Sequence, residues 1–451
     1  MIPRPINRLS DWLDRTMPVL ILTPYLRGFG DCAENTYVGL LRARRENKKI
    51  LFLFPWQLPF LKKAHLGVAN KELLYLESPH RYLNANHFLC QFLGFVLGLI
   101  YSFSGVAYLI WRKMGWGINA LYPQFEPAPY NIWFLMPSLG QSNLKKPIGV
   151  QNFSWDHAFV DRWQTEREEY LPIKLNEERL KRAEQIRLAM GIPLSAWFAC
   201  FHIREGDSYG PTSGEKTRNV SVQGYTKGMR AVVESGGWVV RIGKPPLTPL
   251  SAISKVIDYA NSSWRCELMD LYLISQCRYF IGCDSGPFFL AGMLFHKPVL
   301  VTNIVQWGGP YVSHRGDLAI PKHVYSKSRR RFLSLRELLE EPPEYMRWYH
   351  PPKNDYVYID NTVEEIEGAV KEFLQNDPMA PLNTLQMEFN NRRRRQIENF
   401  LNTSDLDLIG KYYIASYLNV KSAICSSYLE RNWLEDSMGS KPLPSSVLAA
   451  A

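Results

Sequence analysis

With 451 residues, 46% of them hydrophobic and 21% charged, the chain is globular in composition and long enough for about three units of domain size, which excludes a disordered or fibrous chain. The formal net charge of +10 calls for an anionic partner: a nucleotide, a nucleic acid or an acidic lipid. The seven cysteines form no C-x-x-C pair and no zinc spacing, and the opening MIPRPINRLSDW lacks the apolar core of a signal peptide; both point to a reduced, cytoplasmic chain.

In chain order, residues 19–22 are a short apolar run, followed by Arg27-Gly28-Phe29-Gly30-Asp31. Residues 32–45 then have helical spacing, and 50–54 (ILFLF) is a fully apolar run of the kind that forms a buried parallel strand. This is a βαβ unit with a glycine-rich first turn, although Gly28-x-Gly30 without a third glycine is only a fragment of the dinucleotide fingerprint. Residues 88–111 carry no charge at all and are closed by Arg112-Lys113. That length exceeds the roughly 20 residues of a membrane span. Apolar runs of strand type flank it at 73–76 and 132–136, so one crossing would split a single domain across the bilayer. A monotopic helix or a re-entrant hairpin bending near 101–105 keeps both halves on one face. Trp111, Arg112, Lys113 and Trp116 suit an interfacial anchor. The alternative is a buried pair of core helices.

Residues 149–170 read as a Trp- and charge-rich loop, and 176–190 as an amphipathic helix ended by Gly191-Ile192-Pro193. A second series follows: strand 197–203, helix 225–234, strand 238–242, helix 250–256, an apolar stretch at 257–260, and helix 267–276. It continues with the strand 278–282, the turn Asp284-Ser285-Gly286, Pro287 at a first helical position, helix 288–295 and strand 299–302. Such alternation predicts a parallel sheet with helices on both faces. Beyond it lie amphipathic stretches at 363–374 and 415–429, and basic runs at 326–331 and 392–395 that are either solvated faces or lipid contacts. The predicted organisation is α/β, with two Rossmann-like domains (1–175, with a membrane-contact segment at 88–111, and 176–375) and a helical tail (376–451).

Parallel sheets bind ligands at the carboxyl ends of their strands. In the second domain those ends carry His202, Arg204, Glu205 and Asp207, then Arg241, Gly243 and Lys244, then Asp284, Ser285 and Gly286. The planar fork of an Arg pairs two oxygens of a diphosphate, and Lys244 supplies a point charge. Each residue also has an ordinary explanation: Arg204 or Arg241 as an ion pair, His202 as a satisfied imidazole, Asp284 or Ser285 as a helix cap. In the first domain Asp31 and Glu34 follow the Gly28-Phe29-Gly30 turn, as capping acids or as a general base.

The second series resembles a family of bacterial glycosyltransferases of the two-domain GT-B type. The resemblance lies in FHIREGDSYG (201–210), RNVSVQGYTKGM (218–229), GGWVVRIG (236–243), VIDYANSS (256–263), MDLYLISQCRYFIGCDSG (269–286) and KPVLVTN (297–303). The His-x-Arg strand end is similar to that of fucosyltransferases, which implies a donor-diphosphate role for Arg204 and a neighbouring role for His202. The stretch FIGCDSGPFFLAGMLFHKPV (280–299) resembles heptosyltransferases, which implies phosphate binding at Asp284-Ser285-Gly286 and, by the Gly30-Asp31 pair, a base role for Asp31. Here Phe288-Phe289 follow the turn where heptosyltransferases often have a His. The implied activity is metal-independent sugar transfer from a nucleotide-diphosphate sugar to a cell-envelope glycan or glycolipid. The nucleotide sugar is a substrate, so no cofactor is expected. The expected location is the cytoplasmic face of the membrane, peripheral or monotopic. A non-catalytic nucleotide-sugar or glycan binding module is the alternative; a nucleic-acid partner is not expected, since no recognition motif accompanies the basic runs.

Overall fold

Val19–Leu22 (β1) and Lys49–Phe52 (β2) pair in parallel, as two apolar runs joined by a helical crossover must. The computed structural model describes residues 19–22, 29–30, 36–37, 40, 43–44, 47–52, 70–81, 83, 87–96, 99, 173–206, 217–305, 315–341, 355–403, 418 and 422–439. The chain forms two compact units, Met1–Phe159 with Glu169–Glu177, and Val160–Glu168 with Glu178–Ala451. In the first, the described residues from 29 to 44 are helical, with Tyr37, Leu40 and Ala43 buried at helical spacing. The stretch read as a strand at 73–76 is instead a 3-10 turn, Lys71–Tyr75. The reason is local: the Asn70 side chain accepts from the Glu72 amide at 2.8 Å and caps the turn, while Leu73 and Leu76 still reach the core. Residues 88–96 are helical, and the rest of the uncharged run, like residues 132–136, lies outside the described residues except for position 99.

The second unit begins with Glu177–Ala189 (α1), Phe198–His202 (β3), Thr226–Glu234 (α2), Trp238–Ile242 (β4) and Val256–Ile257 (β5). Glu267–Gln276 (α3), Tyr279–Cys283 (β6), Pro287–Phe289 (α4), Val299–Ile304 (β7), Leu318–Pro321 (β8), His323–Ser326 (β9) and Arg331–Leu333 (β10) follow. Then come Leu335–Leu338 (α5), Tyr356–Ile359 (β11), Val363–Gln375 (α6), Thr384–Thr403 (α7), Ala423–Ile424 (β12) and Ser426–Asn432 (α8). Seven strands form one sheet in the order β12-β8-β7-β6-β3-β4-β5, every neighbouring pair parallel. β3 and β7 are buried along their whole length, as strands covered on both faces must be. β10, β9 and β11 make a small antiparallel sheet.

Counted from β3, the large sheet has the doubly wound order 3-2-1-4-5-6, with β12 added at the edge. The winding reverses between β3 and β6, so the crossovers leave those two strand ends on opposite sides and open a crevice there. The two strands lie in register, His202 beside Gly282. Gly282 allows this approach: a Cβ at that position would stand 3.0 Å from the His202 carbonyl oxygen.

Three further expectations are corrected. There is no helix at 250–256; those residues lead into β5. Val256 and Ile257 pair instead with Val239 and Val240 at the sheet edge, and ahead of them the amides of Thr248 and Leu250 donate to Glu205 and Asp258. The helix after Pro287 changes to a π-turn at Leu290–Leu294, closed by the Phe295 amide on the Leu290 carbonyl at 3.0 Å. The amphipathic stretch at 415–429 contains β12 and the start of α8, because Ala423 and Cys425 donate to the edge of β8 and Glu372 accepts from the first amides of α8. The basic runs are largely occupied within the fold. Arg329 and Arg331 pair with Glu341 and Glu337, Arg392 pairs with Glu388, and Arg393 is buried.

Candidate binding site at the switch point of the sheet

The register sets His202, Ile242, Gly282 and Val301 level across β3, β4, β6 and β7, so the residues that follow them share one edge. Arg204 leaves β3 with its amide donating to Cys283 Sγ at 3.1 Å, which pins the exit of β3 to the end of β6. Burial pushes the Cys283 thiol up to about 11, so it remains a neutral partner. The Arg204 carbonyl accepts from the Val220 amide at 2.9 Å, and its Nε donates to Asn219 Oδ1 at 3.2 Å. The strand ends and residues 217–220 are thereby tied together.

Asp284 follows β6 and is 3% exposed. Burial raises its carboxyl above the usual carboxylate range, against the opposing pull of Arg218, Arg204, a hydrogen bond from the Val305 backbone, and Lys322. Arg218 Nη1 stands 3.9 Å from one carboxylate oxygen, and the other, Oδ2, is buried with no hydrogen bond. His202, on the adjacent strand, is 3% exposed, and its Nδ1 is also buried without a hydrogen bond. Burial, then the charges of Arg204 and Arg241, push the His202 imidazole down to about 3, so it is neutral at any physiological pH. Two buried polar atoms on neighbouring strand ends therefore have no hydrogen-bond partner among the described residues, at a cost of about 1–3 kcal/mol each. Ser285 is buried beside Asp284, and Gly286 is half-buried.

Arg241 sits differently. Its guanidinium is fully buried and donates to Glu205 Oε2 at 2.5 Å, to Asp258 Oδ1 at 3.4 Å and to the Thr248 carbonyl. Glu205 also takes the Thr248 amide, so this ion pair fixes the course of the loop after Gly243. Gly243 gives its carbonyl to Arg265 Nε at 2.9 Å, and Lys244 is exposed. Asp31 and Asp207 lie outside the described residues.

Sequence reasoning missed a second cation. Lys322, just past β8, is 4% exposed and donates to the Asn219 carbonyl at 3.0 Å and to Asp360 Oδ1 at 2.6 Å. Arg204 and Lys322 thus meet on the same Asn219, one at its side chain and one at its carbonyl. Arg218 and Asn219 stand inside the segment 218–229 already singled out as a motif, but nothing in their spacing marks them as sheet-edge residues. At the end of β7, Asn303 adopts φ 55°; it exchanges hydrogen bonds with Asn361 (2.8 and 2.7 Å) and donates to the Tyr225 hydroxyl. These bonds hold the far wall of the crevice rigid.

No family model matches the sequence, and no curated protein matches it. Among solved structures, glycosyl transferase family 9 from Veillonella parvula is matched over 63% of this chain and 80% of that one, at 11% identity and a TM-score of 0.34. A likeness of that size carries no argument about activity.

Proposed function

We propose that the chain is a GT-B glycosyltransferase that moves a sugar from a nucleotide-diphosphate donor to a cell-envelope glycan or glycolipid, with the second Rossmann-like domain formed by the first unit. One observation carries the reading: Asp284 and His202, each with an unsatisfied buried polar atom, flank the switch point beside Arg204 and Arg218. Open α/β sheets take their ligands at that point. The motif resemblance supplies the ligand class.

In this mechanism the leaving nucleoside diphosphate gains negative charge as the glycosidic bond breaks. Arg204 and Arg218, fixed before the substrate arrives, together with Lys244 from the exposed loop, stabilise that charge without reorganising. Asp284, Ser285 and Gly286 form the wall against which the donor rests. Neutral His202 offers a hydrogen bond that does not depend on pH. Arg241 acts through the loop it holds and is a positioning residue. Asp31 takes the proton from the acceptor hydroxyl in a direct displacement, and no metal is needed. A lipid-linked acceptor places the enzyme at the inner face of the membrane.

The test begins with a thermal-shift panel of GDP-, UDP-, ADP- and CMP-sugars, since a ligand that binds only the folded state raises its stability. One of these raises the melting temperature, and the same donor is turned over. Arg204→Ala then abolishes turnover with the far-UV spectrum unchanged. Transfer near the wild-type rate in that variant sinks the assignment, and donor binding without turnover for any acceptor favours a non-catalytic binding module.

A further inference from the structure

The helix over residues 88–96 is built inside out for a protein surface in water. Its start is held by His87, whose Nδ1 accepts from the Leu89 amide at 3.2 Å and whose carbonyl accepts from the Gln91 amide at 3.1 Å. The residues it turns inward are small, Cys90 and Gly94. Those it turns outward are large and apolar: Phe88 is 79% exposed, Phe92 51%, Leu89 40% and Phe95 40%. Phe88 and Phe92, one turn apart, stack with ring centroids 6.2 Å apart, so the exposed face is ordered. A surface helix in water places polar side chains there.

We propose that this face is a membrane-docking surface that inserts Phe88, Leu89, Phe92 and Phe95 into the headgroup–acyl boundary of an anionic bilayer, with the helix axis in the plane of the interface. Four partly exposed side chains present roughly 400 Å², taking about 200 Å² for a large side chain. That is about half of the ~800 Å² per partner of a stable protein interface. A second copy of the chain would also bring another +10 of charge, whereas an anionic bilayer offers the opposite sign. The sequence continues without a charge to residue 111 and then gives Trp111, Arg112 and Lys113, the residue types of an interface. Among the described residues no helix is long and apolar enough to cross a membrane. A helix lying in the surface brings all four of these side chains to the interface at once. The docking face stands on its own observations and does not depend on the donor-site reading.

The experiment is co-flotation of the full chain with vesicles of phosphatidylcholine and phosphatidylglycerol (3:1) and with pure phosphatidylcholine. Wild-type protein floats with the anionic vesicles, and F88N/F92N lowers the bound fraction at least tenfold with an unchanged melting curve. The substituted positions are exposed, so the fold is unaffected; the single variant Phe88→Asn gives an intermediate loss and guards against a folding defect. Arg204→Ala floats like the wild type, which separates this result from the fate of the donor site. Three outcomes overturn the proposal: no flotation of the wild type, equal flotation of F88N/F92N, or a wild-type dimer that the double variant converts to monomer without vesicle binding.

Discussion

Two buried charged clusters lie in the same unit of this protein and are finished to different degrees. Around His323, on β9, every charge is answered: Nδ1 meets Asp436 at 2.8 Å and Nε2 meets Glu365 at 2.9 Å. Glu365 also takes Ser437 and the Thr362 amide, and Asp436 takes the Met438 amide. Around Asp284, at the switch point, the nearest cation stands off at 3.9 Å, and one carboxylate oxygen has no hydrogen bond. Arg241 stands nearer the first kind: two carboxylates and a carbonyl take its terminal nitrogens, while its Nε is buried without a hydrogen bond. A buried cluster closed on itself holds the fold, and one left open is where the protein accepts a cost that a ligand relieves.

This contrast breaks most easily at Arg241. Arg241→Ala leaves Glu205 and Asp258 without their shared cation and is expected to cost about 3–5 kcal/mol in chemical denaturation. A loss below about 1 kcal/mol would mean that the closed pair is dispensable and that Arg241 is kept for ligand.

The His323 cluster offers a pH test. Burial pulls the imidazole down, but the hydrogen bonds it donates to Asp436 and Glu365 carry it the other way, to about 9. A folded-state value above the unfolded 6.5 gives stability that is complete below pH 6.5 and is lost as pH rises through 9. About 3 kcal/mol should disappear over that window, by the conversion of about 1.4 kcal/mol per unit. On the acid side Glu365 is held at about 2, chiefly by His323 against its own burial, so its contribution is lost only as pH falls from the unfolded 4.5 toward 2. Equilibrium unfolding across pH 2–10 checks both limbs, and a flat alkaline limb in the wild type, or an unchanged one in His323→Gln, removes the clamp from the account.

The smallest stability effect is expected at the open cluster. Because burial raises the Asp284 carboxyl in the folded state, its ionisation opposes folding at neutral pH. Asp284→Asn therefore leaves stability unchanged or raises it by up to about 1 kcal/mol, while donor affinity in calorimetry falls at least tenfold. A variant that loses stability and keeps its affinity would make Asp284 part of the scaffold.

Much of this layout was readable before the structure. The strand ends at His202-Ile203-Arg204, Arg241-Ile242-Gly243 and Cys283-Asp284 follow from apolar runs stopped by turn residues, and the register sets them level. Strand order is a different matter: that β3 lies beside β6, and not at an edge, depends on crossovers no local pattern encodes. The closed state of Arg241 was equally hidden, since its partners stand 36 and 17 residues away. Lys322 reads as an ordinary surface lysine until the Asn219 carbonyl is placed against it. At 250–256 spacing suggested a helix, but the segment ends as an edge strand paired with Val239 and Val240, a long-range partner that local spacing does not show.

β12 has a consequence for how the protein is made. Ala423 and Ile424 pair with Leu318 and Ala319, over a hundred residues earlier, and cover the outer edge of β8. Until residue 424 has left the ribosome that edge, fully buried in the finished sheet, offers unpaired amides and carbonyls to any neighbouring chain. Among the described residues β12 is the last strand to be synthesised, so a nascent chain halted before Ala423 carries an adhesive edge that β12 later covers.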